Sequence, residues 1–257
     1  VTALERVDLT IETGDTFGLL GENGAGKSKL VKLILGFLKP SSGVITVFGD
    51  APVVARPRLG YVPELPHYDL QFTAREYLAF LGRVSGLGGA RLARQIDAVL
   101  DMVAMRAHAS GRLGTFSKGM LQRIGIAQAL LTDPDLVILD EPTAGLDPRG
   151  QYEIRQVILD LKAHGKTILL CSHVLSEVED ICRTVGILRR GRLVQIGAVA
   201  DLLGRSDQVE IEVGDALPAA QAALALLNGQ VRFEAGRILV SRTAQPAALH
   251  ALLAAHI

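Results

Sequence analysis

Short apolar runs alternate with amphipathic stretches through the first two hundred residues of this 257-residue chain. Four apolar runs are predicted to be strands of one sheet or its edge: residues 17–20, 136–139, 167–171 and 185–188. Strands without a polar face are typical of a sheet that is covered on both sides. Their alternation with helical patterns predicts an α/β domain built on a largely parallel sheet.

Apolar residues spaced three and four positions apart indicate the helices. A helix is predicted over residues 149–163, where four side chains share one face: Ile154, Val157, Ile158 and Leu161. A second is predicted over residues 90–105. Thr73 and Glu76 have the spacing of a capping box, which marks a helix start. We therefore predict a helical insertion at residues 73–131 within the α/β domain.

The pattern changes after residue 203. Residues 209–213 alternate strictly between apolar and polar, and an Ala/Leu-rich helix follows. Two short strands, 231–233 and 238–240, then flank a turn at Gly236, and residues 247–255 form a last helix. We therefore expect a first domain at residues 1–203 and a small α+β module at 204–257, which contains no constellation of catalytic residue types.

Composition favours some classes of protein over others. The 27 basic and 27 acidic residues cancel, so no electrostatic feature favours nucleic acid as a direct partner. No apolar stretch approaches the roughly 20 residues of a membrane span. Cys171 and Cys182 are too few for a disulfide framework and suit a reducing cytosol. No secretory leader opens the chain, and because it begins with Val1 we expect the natural N terminus upstream.

The segment between the first predicted strand and the next apolar helix matches the phosphate-binding P-loop pattern. It comprises Gly21, Glu22, Asn23, Gly24, Ala25, Gly26, Lys27 and Ser28. Glycines let the backbone curl so that successive N–H groups face phosphate oxygens, and the helix N terminus adds positive potential. Lys27 would reach the β- and γ-phosphates and Ser28 would hold Mg²⁺. A chance glycine-rich turn is disfavoured by the full match in a strand–loop–helix context.

The apolar run at 136–139 ends in two carboxylates. Asp140 is placed to enter the coordination shell of the metal, and Glu141 can face an attacking water as general base. Because the carboxyl ends of parallel strands meet at one edge of a sheet, the tails of the first three predicted strands are expected to converge. Together with the P-loop, this pair predicts a P-loop nucleoside triphosphatase.

Three further segments resemble motifs of the ATP-binding-cassette (ABC) ATPases. Residues 115–123 are similar to the family's signature motif, in the form found with ABC-2-type membrane transporters. Residues 142–148 resemble its D-loop, and Ser172 with His173 resembles its switch histidine. The five motifs cover about residues 1–200 in the family's order. The resemblance implies a P-loop (RecA-like) α/β core with an antiparallel β edge, an inserted helical subdomain, and ATP with Mg²⁺ as ligands.

The resemblance also implies a site shared between two copies of the chain. In this family two cassettes associate head to tail, and each ATP lies between the P-loop of one and the signature motif of the other. Here Ser117, Lys118 and Gly119 would supply the second half. Ser117 is placed to cap the following helix, whose N-terminal amides would bind the partner's γ-phosphate. His173 would contact the γ-phosphate and the attacking water, and Asp147 would communicate with the opposite site.

Two positions depart from the family's pattern. Glu64 stands where the family generally has Gln; a carboxylate can still ligate Mg²⁺ and orient water, but it adds negative charge near the γ-phosphate. Lys29 replaces a Thr or Ser, and its ammonium can either pair with the α-phosphate or extend into solvent. The aromatic residue that stacks on adenine in this family falls upstream of Val1.

Aromatic residues near the helical insertion allow two interpretations. They are Tyr68, Phe72, Tyr77 and Phe80. They can form a groove that accepts a short helix of a membrane subunit, or they can pack the insertion's own core. We favour the core for Phe80, and Tyr68 and the loop before Thr73 are the better docking candidates.

The sequence therefore predicts a cytoplasmic ATP-hydrolysing subunit that lies on the inner face of the cell membrane through its membrane-spanning permease partners. An alternative is a soluble mechanochemical ABC protein acting on ribosomes or DNA, although the single cassette, the neutral charge and the lack of sustained heptads disfavour it. A regulatory module without turnover is disfavoured by Glu141 and His173 together. The C-terminal module can brace a dimer, regulate or simply stabilise.

Overall fold

The computed structural model describes residues 3–202, 208–213, 216–227, 231–234, 237–241 and 244–255. The chain divides into two compact units, Val1–Leu202 and Leu203–Ile257. Within the described residues, no helix is both long enough and apolar enough to cross a bilayer. Cys171 and Cys182 are free and buried.

A six-stranded sheet in the order β2-β3-β4-β1-β5-β6 forms the centre of the first unit. Its strands are β1 (Thr16–Leu20), β2 (Leu59–Val62), β3 (Leu136–Asp140), β4 (Thr167–Ser172), β5 (Thr184–Arg189) and β6 (Arg192–Ala198). In this sheet order, the first five strands, from β2 through β3, β4 and β1 to β5, pair in parallel with their neighbours. Strand β6 pairs antiparallel with β5. The four predicted strands, the parallel sheet and the antiparallel edge are confirmed.

Burial explains which strands the sequence revealed. Strands β1, β3 and β4 are buried along their whole length, so continuous apolar runs predicted them. Strand β2 is only four residues long, and β6 is largely exposed at the sheet edge. Strand β6 has no continuous apolar run and was missed for that reason, whereas the short apolar run of β2, Leu59–Val62, was not assigned to a strand.

Eight helices accompany the sheet in the described part of the first unit. They are α1 (Lys27–Ile34), α2 (Pro52–Ala55), α3 (Ala74–Val84), α4 (Gly89–Met102), α5 (Lys118–Leu130), α6 (Pro148–Ala163), α7 (Leu175–Ile181) and α8 (Val199–Leu202). Helix α6 buries the apolar face predicted for it. Helix α4 ends at Met102, three residues before the predicted end, because Ala104 adopts a left-handed φ of 53°.

Helices α3, α4 and α5 pack against one another and form the helical insertion. Thr73 Oγ1 accepts from the Glu76 backbone N–H at 3.2 Å, and Glu76 Oε2 accepts from the Thr73 N–H at 2.9 Å. This is the predicted capping box, and it satisfies two amides that helix α3 itself leaves unpaired. The hydrogen bonds that this carboxylate accepts from the Thr73 backbone N–H and hydroxyl lower the pKa of Glu76.

The described residues of the second unit form a small three-stranded antiparallel sheet with two α-helices. In chain order it contains β7 (Gln208–Glu212), α9 (Leu217–Ala223), β8 (Val231–Glu234), β9 (Arg237–Ser241) and α10 (Gln245–Ala254). The strand order is β7-β9-β8. Its core combines small and branched side chains: Ala220, Leu224, Ile238, Val240, Ala244, Ala248 and Leu252. The predicted β-α-β-β-α order is confirmed, and the turn predicted at Gly236 lies outside the described residues.

Candidate functional site

The carboxyl ends of four neighbouring parallel strands bring the predicted residues together. Strand β1 leads into the P-loop, β3 into Asp140 and Glu141, and β4 into Ser172 and His173, while Glu64 follows β2 by two residues. The strands are level with one another, because Cys171 of β4 lies opposite both Leu19 of β1 and Asp140 of β3. This edge is where open α/β sheets bind ligands.

The P-loop is held by close backbone contacts that require glycine. Gly24 and Gly26 adopt left-handed φ values of 81° and 114°. A Cβ on Gly21 would lie 2.5 Å from the Leu188 carbonyl oxygen at the end of β5. The Gly21 N–H also donates to the Ser172 carbonyl at 3.2 Å. The loop is therefore fixed between β4 and β5, with helix α1 beginning directly behind it.

Lys27 connects the P-loop to the carboxylate at the end of β3. Its Nζ donates to the Gly21 carbonyl at 2.5 Å and lies 3.1 Å from Glu141 Oε1, an ion pair that lacks the alignment of a hydrogen bond. The two side chains are only 7% and 6% exposed. At this depth the attraction between the charges is screened far less than at the surface.

Glu141 also contacts the predicted switch histidine. His173 Nδ1 lies 2.8 Å from Glu141 Oε2. Glu141 has a left-handed φ of 50°, and its backbone N–H donates to the Cys171 carbonyl at 2.9 Å. A left-handed backbone in a residue other than glycine is strained, and such strain persists where surrounding contacts fix the geometry. The strained turn places the carboxylate between Lys27 and His173.

Asp140 is a buried carboxylate whose oxygen atoms are not all hydrogen-bonded within the described residues. It is 3% exposed, and its Oδ1 has no hydrogen-bond partner among the described residues. Burial raises the pKa of Asp140, and the carboxylates of Glu141 and Glu64 raise it further. The Ser28 hydroxyl and the Lys27 ammonium act in the opposite direction. A cation at this position would therefore be favoured by the local charge.

The oxygen atoms of Ser28, Asp140 and Glu64 could hold Mg²⁺. All three residues line one pocket, and the unpartnered Asp140 Oδ1 supplies the hard anionic oxygen that Mg²⁺ prefers. The described residues include no group of three or more His, Cys, Asp or Glu side chains that could hold a metal alone. Phosphate oxygens and water would have to complete the coordination shell, which is how Mg²⁺ usually binds at nucleotide sites.

The pocket has a cavity volume of about 820 Å³, within the range of roughly 300–1,000 Å³ common for small-molecule sites. Ten of the predicted residues line it: Glu22, Asn23, Gly24, Gly26, Lys27, Ser28, Lys29, Glu64, Asp140 and Glu141. Ala25 is buried beneath the loop, and Lys29 faces the pocket, as pairing with a phosphate would require. Within the part of the chain that the structure describes, His173 does not line the pocket and is hydrogen-bonded to Glu141, which does.

The predicted signature and D-loop residues lie elsewhere on the chain. Ser117 Oγ accepts from the Met120 N–H at 3.2 Å and caps helix α5, as predicted. Lys118 Nζ donates to the Ala144 carbonyl at 2.7 Å. Asp147 Oδ1 accepts from the Gly150 N–H at 3.0 Å and caps α6. None of these motif residues lines the P-loop pocket.

Sequence reasoning missed one wall of the pocket, which is formed by Ala3, Arg190 and Gly191. Arg190 and Gly191 connect β5 to β6 with left-handed φ values of 49° and 78°. The Gly191 N–H donates to the Ala25 carbonyl at 2.8 Å, so the turn is fastened to the P-loop. A glycine between two short strands signals such a turn, but its approach to the P-loop is a tertiary contact.

The expectation that Phe80 packs the core is wrong, and the docking role expected for Tyr68 remains a prediction. Tyr68 is turned inward: its hydroxyl donates to the Leu121 carbonyl at 2.8 Å, and its ring meets Tyr77 edge-on. Phe80 is 50% exposed rather than buried, and it stacks on Phe72 at a centroid distance of 6.0 Å. The physical reason for the position of Tyr68 is its hydrogen bond to the Leu121 carbonyl of α5. Phe80 is exposed because it lies on the outer face of α3.

A family model described as "ABC transporter" matches residues 4–144, a stretch that includes the P-loop, Glu64, the signature segment and Glu141. The chain belongs to the ABC transporter family. Its nucleotide-binding cassette has the mixed α/β fold expected from the sequence.

Relatives and a solved structure agree with this assignment. An ABC transporter ATP-binding protein of Synechocystis is 43% identical over 216 residues, which is 82% of this chain and 61% of that protein. A Nod factor export ATP-binding protein of Cupriavidus pinatubonensis is 37% identical over 96% of this chain and 78% of its own length. The structure of cbiO1 from Clostridium perfringens, part of the ABC transporter complex cbiONQ, superimposes with a TM-score of 0.74 and 26% identity, covering 88% of this chain and 90% of that one.

Replacing Asp140 by Asn tests its electrostatic environment. Because the pKa of Asp140 is raised in the folded chain, its ionised form destabilises the fold near neutral pH, and this penalty disappears as the pH falls through the raised value. We expect Asp140→Asn to raise the melting temperature in EDTA near neutral pH, with a smaller gain at acidic pH. The same variant should lose the additional stabilisation by ATP with Mg²⁺.

Differential scanning fluorimetry measures both effects. The exposed Asp50→Asn variant is the control, and it should change neither the melting temperature nor the response to ATP. A melting temperature of Asp140→Asn below that of the wild type at every pH would contradict the assignment of a destabilising buried charge.

Proposed function

We propose that this chain is an ATP-hydrolysing subunit that energises transport through membrane-spanning partner subunits. The observation that carries the proposal is the contiguous set formed by Lys27, Glu141 and His173 beside the P-loop. It combines a phosphate-binding cation, a buried carboxylate and an imidazole at the ligand-binding edge of the sheet. Membership of the ABC transporter family and the relative named as an export ATP-binding protein support an exporter-like role.

Binding of the triphosphate follows from the P-loop. Its amides and the N terminus of α1 face the phosphates, and Lys27 moves its ammonium from the Gly21 carbonyl to the β- and γ-phosphates. Lys29 lies at the same pocket and is placed for a further phosphate contact. Most of the catalytic effect in phosphoryl transfer comes from such positioning and electrostatics.

Hydrolysis requires a base for the attacking water. Glu141 accepts the proton of that water at its carboxylate, and His173, 2.8 Å from Oε2, orients the carboxylate and the γ-phosphate. Mg²⁺ bound through Ser28, Asp140, Glu64 and phosphate oxygens would neutralise the charge that develops on the leaving group. Glu64 faces the same region, where its carboxylate orients the water as the family's Gln would.

The second half of the site is proposed to come from another copy of the chain. Ser117, Lys118 and Gly119 lie at the surface or close to it, away from the P-loop pocket of their own chain. A Cβ on Gly119 would meet only Gly150 Cα at 3.8 Å, so packing within the chain does not require a glycine there. A close approach from outside, such as the partner's γ-phosphate, explains it better.

The docking surface for the membrane subunits is proposed to be an apolar patch made of Phe80 and Val84 on α3 and of Phe72 in the loop before it. Phe80 and Val84 are one helical turn apart, and they are 50% and 71% exposed. The stacking of Phe72 on Phe80 gives the patch a flat surface that a short apolar helix can contact. The chain would then lie at the cytoplasmic face of the membrane, held there by its permease partners.

Glu141→Gln separates binding from turnover. The amide keeps the shape of the side chain but cannot take a proton, so we expect ATP binding to persist and phosphate release to fall by about 10²- to 10⁴-fold. Fluorescent nucleotide titration and a phosphate-release assay measure the two steps. Glu179→Gln, an exposed change on α7, is the matched control. Release at the wild-type rate by Glu141→Gln would refute the assignment of the base.

The shared site predicts ATP-dependent dimerisation. We expect the Glu141→Gln variant to elute at dimer mass in size-exclusion chromatography with ATP and Mg²⁺, and at monomer mass without them. Adding Gly119→Asp should abolish the dimer by charge repulsion while ATP binding persists, because the substitution has room within its own chain. A monomer under all conditions, over a range of concentrations, would argue against the composite site.

Affinity purification from detergent-solubilised membranes tests the partner. The tagged wild-type chain should recover a protein with several membrane spans, and Phe80→Glu or Val84→Glu should lose it. Val44→Glu is the control, since Val44 is 88% exposed in the loop between α1 and α2. Recovery of ribosomal or DNA-bound proteins alone would favour a soluble mechanochemical ABC protein instead.

A further inference from the structure

Glu177, on helix α7, lies between two hydroxyl donors from different segments. Thr143 Oγ1 donates to Glu177 Oε1 at 2.5 Å, and Ser172 Oγ donates to Glu177 Oε2 at 2.7 Å. Thr143 is 4% exposed and Ser172 is fully buried. Each carboxylate oxygen therefore receives one short hydrogen bond from a hydroxyl that is shielded from water.

The two donors belong to the segments that carry the dyad of base and imidazole. Thr143 follows Glu141 by two residues, and Ser172 immediately precedes His173. At the strand ends, the backbone bond from the Glu141 N–H to the Cys171 carbonyl joins these segments. The side chain of Glu177 links the same two segments a second time, through its hydrogen bonds with Thr143 and Ser172.

The geometry also fixes the backbone on both sides of His173. Ser172 Oγ accepts from the Val174 N–H at 3.0 Å while its own proton goes to Glu177. These two hydrogen bonds fix the orientation of the Ser172 hydroxyl. The second one also links Ser172 to Val174, the two residues on either side of His173. His173 itself is 46% exposed at its side chain and has only the Glu141 carboxylate as a hydrogen-bond partner within the described residues. Packing alone does not hold the imidazole in place.

We propose that Glu177 is a positioning residue that holds His173 against the Glu141 carboxylate by clamping Thr143 and Ser172. Glu177 does not line the P-loop pocket, and among the described residues it has no hydrogen bond to Glu141 or His173, so it acts through the segments that carry Thr143 and Ser172. The charged carboxylate suits this role because both of its oxygens can accept from hydroxyls, whereas an amide offers one acceptor and one donor group. The inference rests on the proposed hydrolytic function and adds a residue to it.

Kinetics with matched variants test the clamp. We expect Glu177→Ala to lower kcat for ATP hydrolysis by about 10- to 100-fold, as small misplacements of catalytic groups do, with KM for ATP unchanged. Thr143→Val removes one hydroxyl donor and should also lower kcat. Thr143→Ser keeps the hydroxyl and should have a kcat close to that of the wild type. Glu179→Gln, on the same helix but exposed, should leave kcat unchanged.

A double-mutant cycle separates the clamp from a general effect on stability. If Glu177 and Thr143 act together, the double variant Thr143→Val with Glu177→Ala should be no slower than the slower single variant. Losses of kcat that simply multiply, or that follow the melting temperatures of the variants, would overturn the proposal. Wild-type kcat in Glu177→Ala would overturn it as well.

A measurement independent of turnover keeps this inference distinct from the proposed function. The ring-proton NMR signals of His173 report its position, and we expect them to shift in Glu177→Ala and to remain unchanged in Glu179→Gln. Unchanged signals in Glu177→Ala refute the clamp even in an active enzyme. A wild-type chain that binds ATP but releases no phosphate would instead refute the hydrolytic function, whatever the NMR result.

Discussion

The buried pair of Lys27 and Glu141 is the interaction on which the arrangement of the site depends. Lys27 begins helix α1, directly after the P-loop that follows β1. Glu141 comes directly after β3, which is separated from β1 in the sheet by β4. Removing one member of such a pair leaves an uncompensated buried charge, which costs about 3–5 kcal/mol. The pair therefore fixes the distance between the phosphate-binding loop and the base, and Glu141 remains strained because Lys27, His173 and the Cys171 carbonyl all hold it.

Close backbone contacts position the other side of the pocket. The P-loop touches the end of β5 through Gly21, and the turn at Gly191 donates to the Ala25 carbonyl. A side chain at Gly21 would collide with the Leu188 carbonyl, and one at Gly191 would lie 2.6 Å from the Ala3 carbonyl. The antiparallel pair of β5 and β6 therefore supports the nucleotide site in addition to forming the edge of the sheet. The turn between these two strands places Arg190 at the pocket wall.

Polar networks outside the pocket connect the proposed catalytic groups to the surface that would meet a partner. Lys118 reaches the Ala144 carbonyl from the signature helix, and Thr143, in the same segment, reaches Glu177. Hydrogen bonds thus lead from helix α5 through Thr143 and Glu177 to Ser172, at the end of β4 directly before His173. Since phosphoryl transfer depends on the alignment of groups, such a route would couple assembly of the proposed dimer to the proposed hydrolysis.

The sequence by itself determined the parallel sheet, the helical insertion and the residues at the strand ends. Continuous apolar runs, helical spacing, the Thr73 capping box and the P-loop are local patterns, and local patterns can be recognised without knowing what they contact. Only the tertiary structure decided which neighbours these residues acquire. The inward turn of Tyr68, the exposure of Phe80, the wall at Arg190 and the clamp at Glu177 all arise from contacts between segments distant in sequence. The pairing of β1 with β5 and of β3 with β4 brings the residues of the wall and the clamp together. The packing of α3 against α5 decides the positions of Tyr68 and Phe80.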